Sequence, residues 1–181
     1  MPRAVSVGEE APNFDLTSTE DVLLMLSDEV PRTGVILYFF PGPESERAQR
    51  DLVFLARKRS TLAAKRAVVL GIAPAKMEDL KELQRDFKLP FPLLRDDRNF
   101  SAAYGVFAAS EQGDPEPALV VVNRRQTIIW MAIPVASVEA VFPEVEEALA
   151  RLPSQTSNYP GRVVNRLVDW WVNRFRKPRT T

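Results

Sequence analysis

Two uninterrupted apolar runs constrain this chain more than any other feature. They are Gly34-Val-Ile-Leu-Tyr-Phe-Phe40 and Ala67-Val-Val-Leu-Gly-Ile-Ala73. Both are short, rich in β-formers and free of polar alternation, which fits strands buried on both faces inside a sheet. The first ends abruptly at Pro41-Gly-Pro43. Between the two runs, Glu44 to Ala64 sets Ala48, Leu52, Leu55, Ala56 and Leu62 at near-helical spacing. Glu44 and Glu46 fall in the expected first turn, where acids complement the helix dipole. A second amphipathic helix is expected over Met77–Phe87, from Leu80, Leu83 and Phe87. Pro92–Leu94 reads as a brief strand and Asn99–Tyr104 as a short helix. Leu119–Val122 and Thr127–Met131 read as a hairpin turned at Asn123–Gln126, and Val138–Leu149 as a last helix. Strands alternating with helices in this order predict an α/β fold with a mixed central sheet flanked by helices.

The landmarks along this pattern carry a family resemblance. Val7-Gly-Glu-Glu-Ala-Pro-Asn-Phe-Asp-Leu16 resembles the opening of peroxiredoxins. A polar turn at Ser18–Asp21 and the apolar Leu23–Ser27 come next, like that family's first hairpin. Val35–Pro41 is similar to its strand-then-proline segment. Leu70-Gly-Ile72, Phe91–Leu94 with Asp96, and Ala103-Tyr-Gly-Val106 match later landmarks. Pro117-Ala-Leu-Val-Val-Val122 resembles the thioredoxin-fold strand whose leading proline is typically cis. The resemblance covers about residues 5–150 and lies nearest the bacterioferritin-comigratory type. It implies a thioredoxin-like fold and, for the family, a thiol peroxidase.

The chain departs from that pattern where the chemistry would sit. The family's proline-threonine-cysteine frame reads here Pro41-Gly-Pro-Glu-Ser45-Glu-Arg47-Ala48. By the resemblance, Ser45 takes the threonine position and Ala48 the position of the peroxidatic thiol. Val53 takes that of the resolving cysteine, and the family's later arginine is replaced near Pro117. The sequence contains no cysteine and no histidine. Peroxide reduction needs a low-pKa thiolate to attack the O–O bond, and a methyl group cannot supply one. Serine without a base stays protonated. The same two absences exclude disulfides, Cys/His zinc sites, iron–sulfur clusters and His-dependent triads from this chain. The expectation is therefore no catalytic residue, no cofactor and no metal. A remnant pocket of Pro41, Ser45, Arg47, Ala48 and Pro117 remains. A non-redox enzyme or ligand-binding protein using Ser45, Arg47, Glu44 and Glu46 stays open as the alternative. The adjacent Asp96 and Asp97 read as an exposed turn rather than a metal cage.

The zero net charge conceals an uneven distribution. Residues 161–181 hold six basic residues against one acid, a charge of +5. Residues 1–160 hold eighteen against twenty-three, a charge of −5. Three parts are expected: a domain over 1–151, a linker over 152–160 bounded by prolines, and a basic amphipathic helix and tail over 161–181. Val163, Val164, Leu167, Val168, Trp171 and Phe175 form an apolar stripe, with Trp170 and Val172 at its borders. Arg162, Arg166, Arg174, Arg176 and Lys177 carry the positive charge around it. At about 1.5 Å per residue this segment is too short to cross a bilayer. It suits a protein partner, a second copy of the chain, or an anionic membrane surface. An acidic body without a recognised motif gives no expectation of nucleic-acid binding. The opening residues lack the apolar run of a secretory signal, so a cytoplasmic location is expected, with a peripheral membrane position as its variant.

Overall fold

The computed structural model describes residues 5–29, 33–107 and 115–152. The expected linker beyond Leu152 and the expected helix over 161–181 lie outside these residues. Chain order begins with a hairpin of β1 (Asp15–Thr17) and β2 (Leu23–Met25), then one turn, α1 (Leu26–Glu29). Then come β3 (Gly34–Phe39), α2 (Glu46–Arg57), α3 (Arg59–Ala64), β4 (Ala67–Ala73) and α4 (Met77–Asp86). The remaining elements are β5 (Leu93–Arg95), α5 (Asn99–Ala103), β6 (Ala118–Val122), β7 (Ile128–Ala132) and α6 (Val138–Ala150).

Five strands form one mixed sheet in the order β5-β4-β3-β6-β7. β3 lies at its centre, parallel to β4 and antiparallel to β6, which explains its unbroken apolar run. Its side chains alternate between two cores, as the twofold period of a strand requires. Ile36, Tyr38 and Phe40 point to the side covered by α2 and α6, among Leu52, Leu55, Phe142, Val145 and Leu149. Val35, Leu37 and Phe39 point to the side covered by the hairpin and α5, among Phe14, Leu24, Phe100 and Tyr104. Every residue of β3 and β4 is buried. Gly71 sits where a Cβ would come within 2.5 Å of the Leu93 side chain and 3.3 Å of the Phe40 ring. The bare backbone there makes room for Phe40 to stack on Tyr38, centroids 5.7 Å apart.

The expected α/β architecture with its mixed sheet is the architecture observed. Three details differ. The expected helix over Glu44–Ala64 begins only at Glu46 and divides at Lys58, which caps both α2 and α3. No glycine or proline marks this break. At the break the Lys58 ammonium lies over Phe54 and Phe142, 5.4 and 5.3 Å from their centroids, and beyond it Leu62 joins the core. The cis X-Pro bond among the described residues is Ile133–Pro134, not the bond before Pro117. Pro117 instead receives the Val135 N–H on its carbonyl at 2.7 Å as the chain returns from β7. Finally, Asp96 is not in an exposed turn. It is 1% exposed and accepts from the backbone N–H groups of Phe100 at 3.1 Å and Ser101 at 2.7 Å, and from the Ser101 hydroxyl. Those donors are the free N–H groups of the first turn of α5, and Asp96 caps them. Asp97 is the solvent-facing member and pairs with Arg95 at 3.0 Å.

Candidate functional site

Of the residues expected to form a remnant pocket, Pro41, Ser45, Arg47 and Ala48 lie between the end of β3 and the first turn of α2, and Pro117 immediately precedes β6. Pro41 and Pro43 hold the chain between β3 and the helix. Ser45 is the N-cap, in extended conformation, and its hydroxyl accepts from the Ala48 N–H at 3.2 Å. This satisfies one of the donors that every helix leaves free at its start. Ala48 is 0% exposed and belongs to the core beneath α2. Glu44 and Glu46 are exposed, and Val53 is half-buried along the helix.

Arg47 reaches across to the return strand. Its guanidinium donates to the Val135 carbonyl, and its Nε lies 3.9 Å from the Asp51 carboxylate. Because Val135 also donates to Pro117, this residue ties Arg47 and Pro117 into one network. Asp51 is the residue that sequence reasoning missed. It is 6% exposed, and its two oxygens accept from the Tyr38 hydroxyl at 2.9 Å and the Val138 N–H at 3.2 Å. Val138 opens α6, so the carboxylate stands at a helix N-terminus with an arginine beside it. A buried carboxylate is tolerated when paired and hydrogen-bonded in this way. Burial pushes the Tyr38 hydroxyl well above the ordinary tyrosine range, and the neighbouring Asp51 charge adds to it. The available signal was an acid lying three residues after Ala48 and four before Leu55, on the buried face of α2.

Ser45, Arg47, Asp51 and Tyr38 each have an internal partner. Among the described residues no group of three or more His, Cys, Asp or Glu side chains could hold a metal. No helix among them is long and apolar enough to cross a membrane. The tail residues Arg162, Val163, Arg166, Leu167, Trp170, Trp171, Arg174, Phe175, Arg176 and Lys177 lie outside the described residues.

Comparison with known proteins agrees with the landmarks. Residues 7–131 match the AhpC/TSA family. The chain is similar to a putative peroxiredoxin bcp of Coxiella burnetii, 32% identical over 104 residues, which are 57% of this chain and 68% of that protein. It is also similar to the chloroplastic peroxiredoxin Q of Oryza sativa subsp. japonica, 32% identical over 95 residues, 52% of this chain and 43% of the rice protein. This chain thus spans less than half the length of the rice relative. Among solved structures, peroxidoxin BcpB from Mycobacterium tuberculosis superposes with a TM-score of 0.75 at 17% identity, over 82% of this chain and 98% of that one. That likeness establishes the peroxiredoxin-type thioredoxin-like fold.

Proposed function

The chain belongs to the AhpC/TSA family, and from that membership we propose that it is a catalytically inactive peroxiredoxin-like protein serving as a scaffold or interaction module. Its segment 161–177 docks on a protein partner, a second copy or an anionic membrane surface. The observation that carries this reading is the burial of Ala48. Its methyl group is 0% exposed, in a sequence with no cysteine anywhere. A peroxidatic centre needs a thiolate that peroxide can reach. Ala48 takes that position by family resemblance, and here it is core. The commitment of Ser45 to capping and of Arg47 to Val135 supports the same reading over a non-redox enzyme built on the remnant pocket.

Two measurements test it. Purified chain, mixed with hydrogen peroxide and a dithiol reductant, consumes peroxide no faster than buffer; turnover above that control would overturn the inactive reading. Vesicles containing phosphatidylserine, and light scattering across a concentration series, ask which surface the segment uses. Leu167→Asp with Trp171→Asp in the full chain abolishes vesicle uptake or self-association. A chain that neither binds vesicles nor self-associates, and captures no protein, removes the interaction module.

A further inference from the structure

The outer side of β7 and α6 carries a groove of about 310 Å³. Ile129, Trp130, Ala148 and Leu152 line its apolar part, and Asn123, Glu144, Glu147 and Arg151 its polar part. Its volume equals roughly ten water molecules, far above a packing void, and suits one or two large side chains. Trp130 is only half-buried there, its indole N–H donating to Glu144 at 3.2 Å. Glu147 is paired with Arg151 one turn on. The described chain ends in this groove, at Leu152, whose side chain packs on the core beside Gly34.

The sequence beyond Leu152 matches the groove in chemistry and in reach. Val163, Leu167, Trp171 and Phe175 recur every four residues, the spacing of one helix face. The +5 charge of residues 161–181 opposes the −5 of the rest of the chain. Only residues 153–160 separate this segment from the groove. Eight residues extend at most about 28 Å, at ~3.5 Å each, so the segment can never be far from it. A tether this short holds its end at an effective concentration of millimolar order, which favours an intramolecular partner over a second copy.

We propose that residues 161–177 fold back onto their own body, seating Leu167 and Trp171 in the groove between β7 and α6. The basic residues then face Glu144 and Glu147. This rests on the reading of that segment as an interaction module and names its resident partner as the chain itself. External partners must displace it, so the free chain is self-covered.

The absence of cysteine makes the test direct, since one introduced thiol is unique. A nitroxide is attached to Asn173→Cys in the full chain and ¹⁵N spectra are recorded. The expected result is severalfold attenuation of the Trp130 indole and Ala148 amide signals, equal at low and high protein concentration. It disappears on mixing ¹⁵N chain without nitroxide with unlabelled chain that carries it. Glu144→Lys with Glu147→Lys weakens the attenuation severalfold while β3 and β4 signals stay in place, which shows that the fold persists. Attenuation in the mixed sample, meaning a second copy, overturns the proposal. So does attenuation that is absent or spread evenly over the body. Adding phosphatidylserine vesicles separates the two readings. If the groove is untouched but vesicles take up the chain, fold-back fails and the interaction module stands. If no vesicle, second copy or other protein is bound either, both fail.

Discussion

Replacing Asp51 by alanine probes the network beneath α2 most sharply. The substitution leaves the buried Tyr38 hydroxyl and the Val138 N–H without their acceptor. Each such orphaned group costs about 1–3 kcal/mol. Loss of the Arg47 pair adds less than about 1 kcal/mol, because that arginine is 39% exposed and its charge is screened. Alanine returns about 0.5 kcal/mol through helix propensity. The net expectation is a loss of about 2–5 kcal/mol. For a chain of this size about 3 kcal/mol lowers the melting temperature by roughly 6–12 °C. Urea unfolding read by circular dichroism measures it. Tyr38→Phe removes one donor but leaves the carboxylate bonded to Val138 and beside Arg47, so about 1 kcal/mol is expected. The double variant should lose no more than Asp51→Ala alone, because Tyr38→Phe removes the hydroxyl that Asp51→Ala leaves without an acceptor. A loss below about 0.5 kcal/mol for Asp51→Ala, the scale of ordinary surface changes, would refute the network as a structural tie.

Three other outcomes rest on the same packing. Burial raises the ionisation of Tyr38 and Tyr104 above their usual value of 10.0. The folded chain therefore holds these protons more tightly than the unfolded chain. Their contribution is whole below about pH 10 and declines above it by about 1.4 kcal/mol per pH unit for each tyrosine; stability that stays flat from about pH 9 to 11 contradicts this. Asp96→Ala uncaps α5 and strands two buried N–H groups, so about 2–4 kcal/mol is lost, and amide exchange at Phe100 and Ser101 rises. Gly71→Ala forces a Cβ against Leu93, which is itself fully buried, and costs about 1–3 kcal/mol in thermal unfolding; an unchanged melting temperature would show that Leu93 can yield.

Much of the fold was legible because its strands announce themselves locally. The β3 and β4 runs and the Asn123 turn need no tertiary information. Asn123 Oδ1 accepts from the Arg125 and Thr127 N–H groups at 2.8 and 3.0 Å, a contact within five residues. The division at Lys58 was not legible, because no glycine or proline marks it, and the Phe142 ring that Lys58 meets lies far away in sequence. Nor was the inward turn of Asp96, whose adjacency to Asp97 suggested a matched pair. Just past the end of β5, Asp96 turns inward to cap α5 while Asp97 faces solvent. In the site, Ser45 and Ala48 were legible through their frame, whereas the carbonyl that receives Arg47 lies 88 residues later. Asp51 was visible as a charge on an apolar stripe, but its meaning required α6 to arrive above it.

The carboxylate at Asp51 also bears on what a thiol placed at position 48 would meet. A thiolate restored at position 48 would lie one helical turn from that fixed negative charge, on the same buried face. Like charge and burial both favour the protonated thiol, opposing the helix dipole. Peroxide would also lack a route to a side chain that is 0% exposed. Ala48→Cys alone would therefore cross a valley rather than a step. A working thiol at position 48 would need position 51 and the Arg47–Val135 contact to change with it. The packing beneath α2 thus leaves no ready-made place for a reactive thiol.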